Sequence, residues 1–197
     1  MKRLIFLISL LCLNYTICIS QNINQIKDSY LIILDIQQQF YEHEKNKGAA
    51  NEMVRNVNAI ISLFPPEKVV YVKSAGKVLS LSFKGCSVDT MPVPPLDSNL
   101  KIVGNNVFVK ITGDAFELAE LSDFFKNNNT KRIILTGLLA EKCIYNTALG
   151  GNARGYEMYI VPEAIVGKSE KSKQKAIRKM SEKGIKVLSI NEIYGMH

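Results

Sequence analysis

Residues 30–35 read Tyr-Leu-Ile-Ile-Leu-Asp, an unbroken apolar run that stops on a carboxylate. So short and uniform a run has no polar face to turn toward water, which is the pattern of a strand buried on both sides in a parallel sheet. Similar runs recur at Val69-Val-Tyr-Val72, Asn106-Val-Phe-Val-Lys110, Arg132-Ile-Ile-Leu-Thr136, Met158 to Val161 and Ile185 to Ile190. Helical spacing fills the gaps between them. Asn51 can cap a helix carrying Met53, Val54, Val57, Ile60, Ile61 and Phe64, which Pro65-Pro66 ends, and further helices are predicted around Phe116 to Lys126, Ile144 to Arg154 and Ser169 to Lys183. Ser74 to Asn99, with Pro92, Pro94 and Pro95, reads as irregular. Strands alternating with helices predict an α/β fold. It is a three-layer α/β/α arrangement around a single, mostly parallel, six-stranded Rossmann-like sheet with helices on both faces and right-handed crossovers. The 197 residues suffice for one domain with a sizeable core.

The first twenty residues read differently. Lys2 and Arg3 precede an apolar core, Leu4 to Leu13, and Cys18-Ile19-Ser20 offers small residues at a cleavage site before Gln21. We expect a signal peptide over residues 1–20 and a mature domain over 21–197, exported to a periplasm or the exterior. The apolar run falls short of the roughly 20 residues of a membrane span, so no stable span is expected once it is removed. An uncleaved anchor is the alternative. Without the leader the chain keeps 23 Lys and Arg against 18 Asp and Glu, about +5, and two of its four cysteines, Cys86 and Cys143. One pair is no disulfide framework, although the two could bridge in an oxidising compartment. Much of the positive charge lies between Lys168 and Lys186 on a helical pattern without interleaved aromatics, so a nucleic-acid partner is not expected.

In open parallel sheets ligands bind beyond the carboxyl ends of the strands. Asp35 stands at the end of the first strand, Lys110 at the end of the third, and Cys143 follows the fourth after a turn and opens a helix. A helix N-terminus offers free N–H groups and partial positive charge. Both favour a thiolate and can receive an oxyanion. A carboxylate within reach could take the thiol proton and return it to a leaving amine. A nearby ammonium would hold the thiolate by charge.

Three segments resemble the isochorismatase-like cysteine hydrolases, the family that includes nicotinamidases. They are Leu-Ile-Ile-Leu-Asp35-Ile-Gln37-Gln-Gln39-Phe40, Lys110-Ile-Thr-Gly-Asp-Ala115-Phe116, and Gly137-Leu-Leu-Ala-Glu-Lys-Cys143-Ile-Tyr-Asn-Thr147-Ala148 followed by Gly155-Tyr156. The likeness extends over roughly residues 28 to 193. It implies a Cys143–Asp35–Lys110 triad, a cis peptide at Leu138-Leu139, and an oxyanion hole formed by the N–H groups of Leu139 and Cys143. The chain departs from the family at Gln39, where Asp is frequent, and at Ala140, where Thr is frequent. The Asp-x-His metal motif that nicotinamidases carry after the second strand is missing. The only histidines are His43 and His197, and Ser74 to Ser87 contains no carboxylate, so no metal or other cofactor is expected.

These features predict a metal-independent cysteine hydrolase that cleaves an amide-type C–N bond of a small molecule through a thioester on Cys143. Phe40, Phe116 and Tyr145 are expected to wall the substrate pocket. The alternative is a non-catalytic small-molecule-binding or scaffold protein on the same fold. Cys143 far from Asp35 and Lys110 would favour that second reading. A homo-oligomer is expected by analogy with the family.

Overall fold

The computed structural model describes residues 28–41, 47–82, 85–90 and 92–195, with backbone alone at 47, 77–82 and 85–90. The leader expected at residues 1–20, both histidines, and a bridge through the Cys86 side chain therefore lie outside the described residues.

The apolar runs form strands β1 (Ser29–Leu34), β2 (Val69–Ser74), β5 (Val107–Lys110), β6 (Arg132–Leu138), β7 (Glu157–Val166) and β8 (Lys186–Val187). They make one six-stranded sheet in the order β5-β2-β1-β6-β7-β8, with every neighbouring pair parallel. Successive side chains of a strand point to opposite faces, and β1 shows the consequence. Leu31 and Ile33 join one core with helix α1 (Lys47–Ile61) and with Ile193 of α5 (Ile190–Gly195). Tyr30, Ile32 and Leu34 join the other, under α2 (Ala119–Asn127), α3 (Tyr145–Ala153) and α4 (Glu170–Ser181). Every residue of β1 is buried. Burying a side chain such as Ile or Leu contributes about 1.5–3 kcal/mol, which is why this central strand can be apolar throughout. The three-layer α/β/α architecture is thus present. Among the described residues no helix is long and apolar enough to cross a membrane.

Four local readings are corrected. The segment read as irregular contains an antiparallel hairpin, β3 (Lys77–Ser82) with β4 (Gly85–Thr90), as a separate two-stranded sheet. Helix α1 begins at Lys47, placing Asn51 inside it rather than at its cap. Strand β7 runs through Pro162. It can do so because its register with β6 shifts between Leu135 and Gly137, and β8 pairs only with Tyr159 and Ile160. Pro162 therefore meets no ladder bond that it would break. The last strand is two residues long, because Ser189 and Glu192 form a reciprocal cap. Glu192 accepts from Ser189 N–H at 2.6 Å, and Ser189 Oγ accepts from Glu192 N–H at 3.2 Å. That Ser-x-x-Glu capping box starts α5 where the apolar pattern suggested more strand. A second reciprocal cap, Ser169 with Ser172, starts α4, whose lysines at 171, 175 and 179 are exposed.

Candidate active site

Strand β1 is followed at once by Asp35, whose φ of +58° lies in the left-handed region that non-glycine residues seldom occupy. Its N–H donates to Val72 O at 2.8 Å, and its carbonyl accepts from Gln37 N–H at 2.7 Å. Gln37, fully buried, ties neighbouring segments to this turn. Its Nε2 donates to Ser74 O (3.1 Å) and Pro94 O (2.9 Å), and its Oε1 accepts from Ser74 N–H at 2.8 Å.

Lys110 ends the edge strand β5 and is 1% exposed. Its Nζ lies 2.9 Å from Asp35 Oδ2, 2.7 Å from Ser74 Oγ and 3.1 Å from Thr112 O. Ser74 Oγ is also 2.8 Å from Asp35 Oδ1. Two charges this deeply buried persist only when paired and hydrogen-bonded, and here both are.

Cys143 reaches the same place by another route. Gly137 crosses beneath Leu34 with φ +118°, and a Cβ there would fall 2.0 Å from Leu34 O, so only glycine fits. The peptide between Leu138 and Leu139 is cis, at the bond the resemblance indicated. A π-helical turn, Ala140–Ile144, follows. In it Leu139 O accepts from Lys142 N–H (2.9 Å) and Ile144 N–H (3.2 Å), stepping over Cys143 and sparing the N–H that an α-helix would have used for that bond.

The half-buried thiol lies near enough to Asp35 and Lys110 for both charges to act on it. The structure thus brings together the three side chains singled out in the sequence. It corrects their electrostatics. Cys143 sits within the π turn rather than at a helix N-terminus, and burial first, then the Asp35 carboxylate, push its thiol above the ordinary value, while Lys110 opposes them. The resting group is therefore a thiol with a carboxylate beside it, not a thiolate held in advance.

The pocket residues divide. Phe40, 37% exposed, ends the 3₁₀ turn Gln38–Phe40 that follows Asp35 at the carboxyl end of the sheet. Phe116 is not a pocket wall. It is 2% exposed and stacks on Tyr156 in the core under α2 and α3, centroids 5.4 Å apart. Tyr145, half-buried, borders a hollow of about 310 Å³ together with Glu141, Ser172, Lys175, Ala176 and Lys179. Ser74 was missed. Its only signal was its place at the end of the second strand, among residues read as loop.

The donors after β2 do not suit a zinc ion. The chain offers Ser74, Ala75 and Gly76 there, the serine hydroxyl being already engaged, and no trio of His, Cys, Asp or Glu is grouped among the described residues.

Comparison with known proteins gives a consistent picture. The sequence model of the isochorismatase domain matches residues 29–192. Isochorismatase family protein 2A of Dictyostelium discoideum is 30% identical over 89 residues, which span 44% of this chain and 44% of that protein. Among solved structures, the pyrazinamidase of Pyrococcus horikoshii in complex with zinc has a TM-score of 0.62 at 21% identity, covering 82% of this chain and 99% of that one. The YcaC gene product of Escherichia coli, described as an octameric hydrolase of unknown specificity, has a TM-score of 0.64 at 16% identity, covering 85% and 78%. At such identities these two structures speak for the fold.

Proposed function

This chain belongs to the isochorismatase family, and from that premise we propose that it is a metal-independent cysteine hydrolase of small-molecule amide-type C–N bonds. Asp35 takes the proton from Cys143 Sγ as the sulfur attacks the substrate carbonyl. The N–H groups of Leu139 and Cys143 receive the oxyanion. As the tetrahedral intermediate collapses, the C–N bond breaks and Asp35 gives the proton to the departing nitrogen, leaving a thioester. Asp35 then deprotonates a water that attacks the thioester, the carboxylic acid leaves, and the proton returns to sulfur. Lys110 balances the carboxylate's charge before transfer and the oxyanion's charge after it.

The observation that carries this reading is the buried Lys110–Asp35 pair, 2.9 Å apart, whose charges act on the half-buried thiol. A base next to a protonated nucleophile is what such a reaction requires. A scaffold protein would have no need for two desolvated charges beside a thiol. The pyrazinamidase likeness supports amide chemistry, although that neighbour holds zinc and the donor set here supports a reaction without it. The octameric neighbour supports assembly into a homo-oligomer. The basic and apolar opening of the sequence supports export with residues 1–20 removed, which N-terminal sequencing of the mature protein checks.

The test is a screen of small amides and imides for ammonia release, with and without chelator, with the Cys143→Ala protein as control. We expect a hit with wild type that Cys143→Ala abolishes and chelator leaves unchanged, with a mass adduct on Cys143 after rapid quenching. Hydrolysis that survives Cys143→Ala would falsify the mechanism.

A further inference from the structure

We infer that Ser74 is a positioning residue, its hydroxyl holding the Asp35 carboxylate in the orientation that faces Cys143 by bridging it to Lys110. This deepens the hydrolase reading and rests on it for the role of Asp35.

The sheet order makes the case. Lys110 ends β5 and Asp35 follows β1, and β2 lies between them. Neighbouring strands are about 4.8 Å apart, so the two charged residues leave the sheet about 10 Å apart and only the length of the lysine lets them meet. Ser74 is the end of the strand in the gap, in register opposite Lys110. Four adjacent strands, β5, β2, β1 and β6, therefore deliver Lys110, Ser74, Asp35 and the Cys143 turn in spatial sequence.

The proton directions are fixed by inventory. An ammonium has three donors and no acceptor. Oxygen acceptors stand within reach of all three: Asp35 Oδ2, Ser74 Oγ and Thr112 O. Because Lys110 can only donate to Ser74, the single hydroxyl proton of Ser74 points to Asp35 Oδ1, 2.8 Å away. Both carboxylate oxygens are thus held, by donors from two strands, and the plane of the group is set. Ser74 is itself immobilised, since the Gln37 amide grips its N–H and its carbonyl at once. Without the hydroxyl, Oδ1 loses its donor, Lys110 loses an acceptor, and the carboxylate is free to rotate away from the sulfur. Misplacing a base in this way lowers turnover more than binding.

The test compares Ser74→Ala, Ser74→Thr and Ser74→Val. The last two differ only in exchanging a hydroxyl for a methyl group, so that pair carries the comparison if the alanine protein does not fold. The first readout is iodoacetamide alkylation of Cys143 against pH, followed by peptide mapping so that Cys86 does not interfere. It needs no substrate. Asp35 is what raises the thiol beside it, so a carboxylate that turns from the sulfur raises it less; Ala and Val therefore lower the midpoint by about half to one pH unit, the worth of one hydrogen bond, and Thr stays near wild type. With a substrate in hand, Ala and Val lower kcat about 10- to 100-fold with KM little changed, and Thr restores most of it. Profiles of folded Ala or Val proteins that coincide with wild type, or a folded Thr protein as impaired as Val, overturn the proposal. Failure of every amide to be hydrolysed by wild type would instead remove the hydrolase reading, and the alkylation comparison would still decide whether Ser74 orders the carboxylate.

Discussion

Lys110 Nζ and Asp35 Oδ2 are 2.9 Å apart with their side chains 1% and 4% exposed, so each is the other's main compensation for leaving water. Removing one partner of such a pair leaves a bare buried charge. Lys110→Met should lower the free energy of unfolding by about 3–5 kcal/mol, and the double variant Asp35→Asn/Lys110→Met should recover part of that loss. Urea titrations of the four proteins close the cycle. Additive losses would mean that the two groups do not act as a pair.

The thiol of Cys143 is raised above its ordinary value, chiefly by burial and next by Asp35. Iodoacetamide should therefore label it slowly at pH 7 and faster only as pH climbs past the ordinary thiol range near 8.5. Asp35→Asn should lower the midpoint and Lys110→Met raise it. The linkage has the matching sign. The folded protein keeps a proton that the unfolded chain releases, so this contribution to stability is complete below about pH 8.5 and is eroded as pH rises toward the folded value. Fast labelling at neutral pH, as at a preformed thiolate, would refute the assignment.

Gly137→Ala should be among the most damaging small changes in the chain. The added methyl would meet Leu34 O at 2.0 Å while φ sits at +118°, pushing apart β1 and β6 below Asp35. We expect a loss of more than about 3 kcal/mol or failure to accumulate. A thermal melt within a degree or two of wild type would show that the crossing relaxes easily.

Tyr41 donates its hydroxyl to Asp97, and both residues are buried. Burial and this bond hold the phenol well above its ordinary range. Asp97 also accepts from Asn99 N–H at 2.7 Å, so Tyr41→Phe strips its buried carboxylate of a donor. The expected cost is about 1–3 kcal/mol, read from chemical denaturation, with Cys143 alkylation unchanged.

The strands were legible because a doubly buried parallel strand has no polar positions, and Asp35 and Lys110 stood out as the charges that end such runs. Cys143 was legible by its turn. The orientation of neighbouring aromatics was not. Phe116 follows a motif residue in sequence yet turns into the core. Sequence proximity says nothing about which side of a turn a ring occupies. Ser74 was hidden for a different reason. A serine at a strand end has no distinguishing pattern, and its role comes from the strand order, which places β2 between β1 and β5. The capping box at Ser189 and Glu192 was readable but was outweighed by the apolar residues around it.

Because Asp35, Ser74, Lys110 and Cys143 each hang from a different one of four laterally adjacent strands, no fragment shorter than the span from 35 to 143 contains them all. A chain still emerging during synthesis carries an ordinary thiol until those strands have come into line. Loss of chemistry should then be an early alarm for any fraying of that half of the molecule, sounding before most of its helical content is gone.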